Sequence, residues 1–337
     1  MKLHTTHETP PAPGCALEVA PGVRWLRMPL PFALDHVNLW LIADGAAWTA
    51  VDTGIALDPV RDAWRAVLAT HPLARQIVTH FHPDHLGLAA WLERETGAPL
   101  WMTQGEYATA QLVKHQIAGY GIAAMADLFR RHGLAAERIA ALEKRGNAYG
   151  RGVPEIPATF RRLFEGEEIA IGGHAWRIMT GFGHAAEHAS LYCEGMRVLI
   201  SGDMLLPRIS TNVSAFAAAP EADPLGSFLA SIDRYRELPE DTLVLPSHGK
   251  PFRGLHERVA QLHAHHKERC GVLLAACAAT PQSAAELLPA LFERDIADPH
   301  QTMFAMGESI AHLIYLEHAR WLKRIDADGI IRFVASH

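Results

Sequence analysis

Three imidazoles and a carboxylate stand within six residues, in the run Thr79-His80-Phe81-His82-Pro83-Asp84-His85-Leu86-Gly87, and no other feature of the chain restricts its fold so tightly. Side chains at that density need a rigid backbone to aim them. Gln76-Ile77-Val78-Thr79 reads as a strand running into His80. His80 and His82 keep the period of two and point the same way. Pro83 then forces a turn, so Asp84 and His85 leave a helix-starting loop in another direction. The first pair can chelate one ion and the second pair another.

Three more ligand-type residues follow strand-like segments: His184 in Gly181-Phe182-Gly183-His184, Asp203 in Ser201-Gly202-Asp203, and His248 in Pro246-Ser247-His248-Gly249. A glycine beside each lets the backbone approach closely. Nitrogen and oxygen donors of this kind suit Zn, Mn or Fe(II), and no cluster of thiolates selects a structural zinc, so two divalent metal ions are expected, with Zn the first choice. A carboxylate such as Asp203 can bridge two ions about 3.5–4 Å apart that share a hydroxide nucleophile. Any one of these histidines alone reads as an ordinary buried or surface side chain; their joint spacing carries the assignment. By contrast His115, His132, His256, His263, His265 and His266 lie on helical stretches without such partners and read as solvated faces.

Composition narrows the function. A formal net charge of −6, with no long Lys/Arg run, opposes a general grip on nucleic acid and favours a small-molecule substrate. The four cysteines, Cys15, Cys193, Cys270 and Cys277, form no CxxC pair and read as small buried hydrophobes. The N-terminal stretch to Gly14 is polar and Pro-rich, unlike a signal peptide, and no apolar run reaches about 18 residues. A cytoplasmic setting without membrane attachment is therefore expected.

Along the chain, Val23 to Leu30, Val37 to Ala43 and Ala46 to Val51 read as strands, with a hairpin signal at Asp44-Gly45 and a strand end at Asp52-Thr53-Gly54. Helices are expected from Asp58 to Thr70 and from Leu86 to Thr96, and a helical insertion from about 104 to 144. A second series of strands begins near Phe164 and carries the later ligand motifs. From Leu255 the pattern turns helical again, with a short helix Ser283 to Phe292, a helix Thr302 to Lys323 and a closing strand Ile330 to Val334. With 337 residues, two domains are expected, a catalytic one over 1–254 and a C-terminal one over 255–337.

The run Thr79 to His85, with the later motifs in matching order, resembles the metallo-β-lactamase superfamily and its glyoxalase II-like branch over roughly Gly22 to Gly249. That resemblance implies an α/β (α+β) chain folded as a four-layer αββα sandwich. It implies that His80, His82 and His184 bind one metal, that Asp84, His85 and His248 bind the other, and that Asp203 bridges. Asp52 would support the site from beneath, and Asp84 would also take up a proton as the catalytic acid–base residue. A metal-bridged hydroxide attacking a thioester, lactone or related ester carbonyl is the reaction implied. The tail from Leu255 resembles the winged-helix-like appendage of lactamase-beta-2-like relatives. Its Ser283 to Phe292 segment carries Glu286 and no Lys or Arg, which favours packing or a homodimer contact over nucleic-acid binding.

After His184 the segment Ala185-Ala186-Glu187-His188 departs from the small, glycine-rich continuation usual in that family. His188, Lys250 and, in the helical insertion, Tyr120 and Phe129 are candidate substrate contacts, with Tyr107 and Met125 as further walls of a lid. Two other activities of the same fold compete with the hydrolase. A mononuclear Fe(II) enzyme resembling persulfide dioxygenases would use fewer ligands than this chain carries, and a phosphodiesterase or nuclease would want a more basic surface.

Overall fold

The computed structural model describes residues 2–336 except Glu293, Asp295 and Ala297. Its first compact unit is built from 1–114, 149–211 and 231–259. Among the described residues its strands are β1 His4–Thr5, β2 Leu17–Ala20, β3 Val23–Pro29, β4 His36–Asp44, β5 Ala47–Val51, β6 Leu73–Ile77, β7 Leu100–Thr103, β8 Arg161–Leu163, β9 Glu168–Ile171, β10 His174–Gly181, β11 His188–Cys193, β12 Val198–Gly202, β13 Leu243–Pro246 and β14 Phe252–Arg253. They make two seven-stranded sheets, ordered β2-β3-β4-β5-β6-β7-β8 and β1-β14-β13-β12-β11-β10-β9.

Strands apolar on both faces belong in the inner layers of such a stack. In β3, Val23 and Trp25 face the other sheet while Leu26 and Met28 face outward, and β4 divides in the same way between Trp40 and Ile42 on one side and Val37, Leu39 and Leu41 on the other. The inner cluster joins Trp25, Trp40, Val51 and Ile77 of one sheet to Trp176, Ile178, Leu191, Ile200 and Leu245 of the other. On the outer face, helices α1 Asp58–Leu68, α2 Pro83–Leu86 and α3 Ala89–Thr96 follow in order, and Val60, Ala63, Trp64 and Val67 of α1 fill the second cluster. α4 Gln104–Lys114 follows β7.

Each sheet contains a parallel pair whose carboxyl ends lie side by side, and this positions the ligands. β5 pairs in parallel with β6, and the Asp52 N–H donates to Ile77 O at 2.8 Å, so Asp52 and Thr79-His80 emerge together. β12 pairs in parallel with β13 in the register Gly202↔Pro246, so Asp203 and His248 emerge together. Asn38 ties one sheet to the other. It accepts from Trp25 Nε1 at 2.8 Å and donates through Nδ2 to Pro246 O and Gly249 O at 2.8 and 3.0 Å, on either side of His248.

The helix expected from Leu86 to Thr96 is interrupted at Gly87-Leu88. The backbone there is so crowded that a Cβ on Gly87 would lie 2.5–2.7 Å from the carbonyl oxygens of Pro83, Gly152 and Gly54. Only glycine fits, and it brings the ligand-bearing turn onto the 52–54 strand end.

The second unit comprises 115–148, 212–230 and 260–337. The stretch expected as one helical insertion therefore divides, with α4 in the first unit and α5 Ile122–Arg131 and α6 Ala136–Arg145 in the second. The short α7 Ala148–Gly152 and α8 Pro224–Asp233, and the long α9 Leu255–Ala276, cross between the two sets of residues. α10 Leu288–Phe292, α11 Pro299–His318 and a hairpin of β15 Leu322–Ala327 with β16 Ile330–Ala335 complete the unit. The helix expected to run to Lys323 ends at His318, and Lys323 lies in β15. The expected Ser283 helix begins only at Leu288, preceded by a turn in which Ser283 N–H donates to Glu286 at 2.7 Å.

Two histidines expected on solvated faces are buried instead, His132 and His266. His266 shares a stripe with the buried Leu262, Cys270 and Leu273, the i−4, i+4 and i+7 positions of one helix face. Its Nδ1 lies 3.1 Å from His312 Nε2, and His312 donates through Nδ1 to Glu308 O at 2.8 Å. His132 stacks on Phe333 with centroids 6.1 Å apart. Cys15 likewise departs from expectation and is exposed, whereas Cys193, Cys270 and Cys277 are buried. Among the described residues no helix is long and apolar enough to cross a membrane.

Burial, aided by nearby positive charge, pulls His132 down to about 4 and, with His265 and Arg269 adding, His312 also to about 4. The unfolded chain therefore binds more protons than the folded one below about 6.5. This stability is complete above pH 6.5 and is lost as pH falls towards 4, by up to about 1.4 kcal/mol per pH unit for each imidazole. Urea unfolding at pH 7.5 and 4.5 should show a smaller pH-dependent loss in the His132→Gln/His312→Gln double variant than in the wild type; equal losses would contradict the assignment.

Candidate metal centre

All seven residues singled out from the sequence converge in the first unit, in two groups that offer ligand atoms within 4.8 Å of one another: His80, His82, His184 and Asp203, and Asp84, His85 and His248. In the first, His80 Nε2 lies 3.0 Å from His82 Nδ1 and 3.2 Å from His184 Nε2, and Asp203 Oδ2 lies 3.9 and 3.5 Å from the Nε2 atoms of His80 and His184. In the second, Asp84 Oδ2 is 3.7 Å from His85 Nε2 and 3.5 Å from His248 Nε2. Asp203 Oδ1 completes that group at 3.6 and 3.4 Å from the same two nitrogens. One carboxylate thus gives one oxygen to each group.

The contacts of Asp203 with His184, His85 and His248, and of Asp84 with His248, at 3.4–3.6 Å, match the edges of a coordination shell. Metal–ligand bonds of about 2.0–2.2 Å at tetrahedral angles put neighbouring donors roughly 3.3–3.6 Å apart. His85 Nε2 and Asp203 Oδ1 are both buried polar atoms without a hydrogen-bond partner, a costly state that a cation between them removes.

Outer hydrogen bonds aim the imidazoles. Asp52, held at φ 66°, accepts from Thr79 N–H at 2.7 Å, from Thr79 Oγ1 and from His85 Nδ1 at 2.8 Å. Thr79 Oγ1, donating to Asp52, can accept from His80 Nδ1 at 3.0 Å. His248 donates through Nδ1 to His36 O at 2.8 Å. His80, His85 and His248 thus direct Nδ1 outward and Nε2 towards the site, whereas His82 faces it with Nδ1.

The electrostatics call for positive charge. Burial lowers His85, but Asp52, Asp84 and Asp203 outweigh it and push the imidazole up to about 10. Burial and the neighbouring imidazoles hold His80 and His82 well below 6.5, so both present neutral rings. Asp203 resists the upward pull of burial because His248 and His85 hold it well below the usual carboxylate range.

The candidate substrate contacts lie as follows. His188 has no exposure, stacks on His80 with centroids 5.0 Å apart, and accepts Asp203 N–H at 3.2 Å. It backs the ligands: a Cβ on Gly202, at φ 53°, would lie 2.3 Å from its Nε2. Lys250 pairs with Glu8 at 3.0 Å on the surface. In the second unit Phe129 is fully buried and Tyr120 ends a 3-10 turn, half-buried. Tyr107 stacks on Phe160 at 4.0 Å. Thr79, His36, Glu106 and Tyr149 were not singled out. Thr79 carries the clearest sequence signal, since it adjoins His80 and has a hydroxyl; the others become neighbours only through the fold.

A family model described as "Metallo-beta-lactamase superfamily" matches residues 33–248, and one described as "Metallo-beta-lactamase-like, C-terminal domain" matches 270–336. A crystal structure of a beta-lactamase domain protein from Burkholderia ambifaria superposes with TM-score 0.93 at 48% identity, covering 99% of this chain and 98% of that one. The "probable metallo-hydrolase YqjP" of Bacillus subtilis (strain 168) is 24% identical over 306 residues, 87% of this chain and 91% of the relative. A hydroxyacylglutathione hydrolase of Idiomarina loihiensis is 33% identical over 95 residues, 28% of this chain and 34% of that protein.

Replacing Asp52 with Asn should weaken metal binding by about 10–100-fold, the usual cost of losing an outer partner of a ligand. His82→Ala and Asp203→Ala should lose metal while far-UV circular dichroism stays that of a folded chain. Wild-type metal content in any of the three after dialysis against a chelator would contradict this reading.

Proposed function

This chain belongs to the metallo-beta-lactamase superfamily and is a metallo-hydrolase, and we propose that it uses two divalent cations, Zn as first choice, to hydrolyse a thioester, lactone or related ester of a small molecule. The observation that carries this reading is the division of Asp203, with Oδ1 facing His85 and His248 and Oδ2 facing His80 and His184. Bound there, the cations supply Lewis acidity for a carbonyl oxygen and a water that loses its proton near neutral pH.

The chain's own residues then have separate tasks. His80, His82 and His184 would hold one cation and Asp84, His85 and His248 the other, with Asp203 within reach of both groups. The Asp84 side chain, 21% exposed, is the more accessible of the two site carboxylates, the Asp203 side chain being 11% exposed. Its role in this reading is to accept the proton of the attacking water and to return it to the departing oxygen or sulfur. Addition of water across the acyl bond yields a carboxylic acid and an alcohol or thiol, with no redox partner needed. The net charge of −6 supports a small acyl substrate over a polyanion. The partial likeness to an enzyme named for hydroxyacylglutathione, a thioester, supports that substrate class.

Protein purified without added metal should contain two divalent ions per chain by elemental analysis and turn over at least one member of a thioester, lactone and ester panel. One iron per chain with oxygen consumption, or turnover of a phosphodiester dye alone, would contradict the proposal. Asp84→Asn should lower kcat by about 10²–10⁴.

A further inference from the structure

Glu106, the third residue of α4, has no solvent exposure, and a buried carboxylate needs donors to offset the cost of leaving water. Its donors are backbone amides, two of them from the ligand-bearing loops. Phe81 N–H donates to Oε2 at 2.8 Å, and Glu187 N–H donates to Oε1 at 2.5 Å. Phe81 is the residue between His80 and His82, and Glu187 lies three residues beyond His184. One side chain therefore grips both loops that carry the three imidazoles of the first ligand group.

The grip is reciprocal. Glu187 Oε2 accepts Gly105 N–H at 2.7 Å, next to Glu106 itself, and Thr103 Oγ1 donates to Glu187 O at 2.7 Å. On the far side of Phe81, Tyr149 OH donates to Phe81 O at 2.7 Å. The peptide joining residues 80 and 81 is thus fixed through its N–H, and the peptide joining 81 and 82 through its carbonyl. Rotation of either would swing His80 and His82 apart, and both rotations break a buried hydrogen bond. The ligands of the second group are held by other means: His85 by Asp52 and His248 by the His36 carbonyl.

We propose that Glu106, with Tyr149 as the opposite jaw, is a positioning residue selective for the His80–His82–His184 cation site, acting through the backbone of its two loops. The proposal rests on the two-cation reading of the site. A carboxylate that merely satisfied loop amides would affect overall stability without distinguishing one cation from the other.

The test is Co(II) titration of the metal-stripped full-length chain, followed by visible absorption and chelator competition, with His82→Ala and His248→Ala assigning the signals of the two sites. Glu106→Gln keeps the shape but offers one acceptor where two amides need two. It should weaken the first site by about 10–100-fold and leave the second within about threefold. Tyr149→Phe, which removes only a hydroxyl, should weaken the same site alone and serves as the test if Glu106→Gln fails to fold. Unchanged affinity at both sites, or equal loss at both, in a folded variant overturns the proposal. A wild-type chain that takes up fewer than two Co(II) ions overturns the two-cation reading, and the clamp with it.

Discussion

Mutual repulsion among buried lone pairs is the constraint that the site's architecture serves. Five imidazoles and two carboxylates meet in one spot, and His80, His85, His184, Asp203 and His248 are all buried. Collecting such groups away from water costs several kcal/mol for each charge unless opposite charge is supplied. Asp203 stands at the centre of it, each oxygen facing two imidazole nitrogens, and the attraction of His248 and His85 offsets part of its burial. A rigid frame must hold the groups together, and cations must make the arrangement favourable.

The frame is the pair of sheets. Each gives one parallel strand pair whose carboxyl ends carry ligands or their supports: β5 and β6 deliver Asp52 and His80, while β12 and β13 deliver Asp203 and His248. Trp25 and Asn38 link the apolar interior to the His248 loop, so the packing that stabilises the sandwich also fixes a ligand. Asp52 adopts a left-handed backbone that non-glycine residues rarely take, and its side-chain hydrogen bonds to Thr79 and His85 hold it there. Fold and site are thus continuous at these residues.

Much of this could be read from the residues in order. The HxHxDH run, the glycine-flanked His184, Asp203 and His248, and the Asp52 strand end announce themselves because metal ligands need particular side chains at strand ends. What escaped reading depends on neighbours distant in the chain. Glu106 looks like any polar residue in the first turn of a helix until Phe81 and Glu187 are seen above it. His188, one residue past an acidic side chain, reads as a candidate substrate contact, yet it starts β11 and stacks on His80. His132 and His266 read as solvated because they lie on helical stretches without ligand partners, although the apolar stripe through Leu262, Cys270 and Leu273 marks the face that buries His266. The helical stretch from 104 showed its periodicity but not the division of its helices between two compact units.

The most direct measurement is an anomalous diffraction experiment on crystals of the wild-type chain grown with zinc. The account predicts two peaks per chain about 3.5–4 Å apart, one against His80, His82 and His184, the other against Asp84, His85 and His248, with Asp203 reaching both. A single peak, or zinc bound away from Asp203, would contradict it.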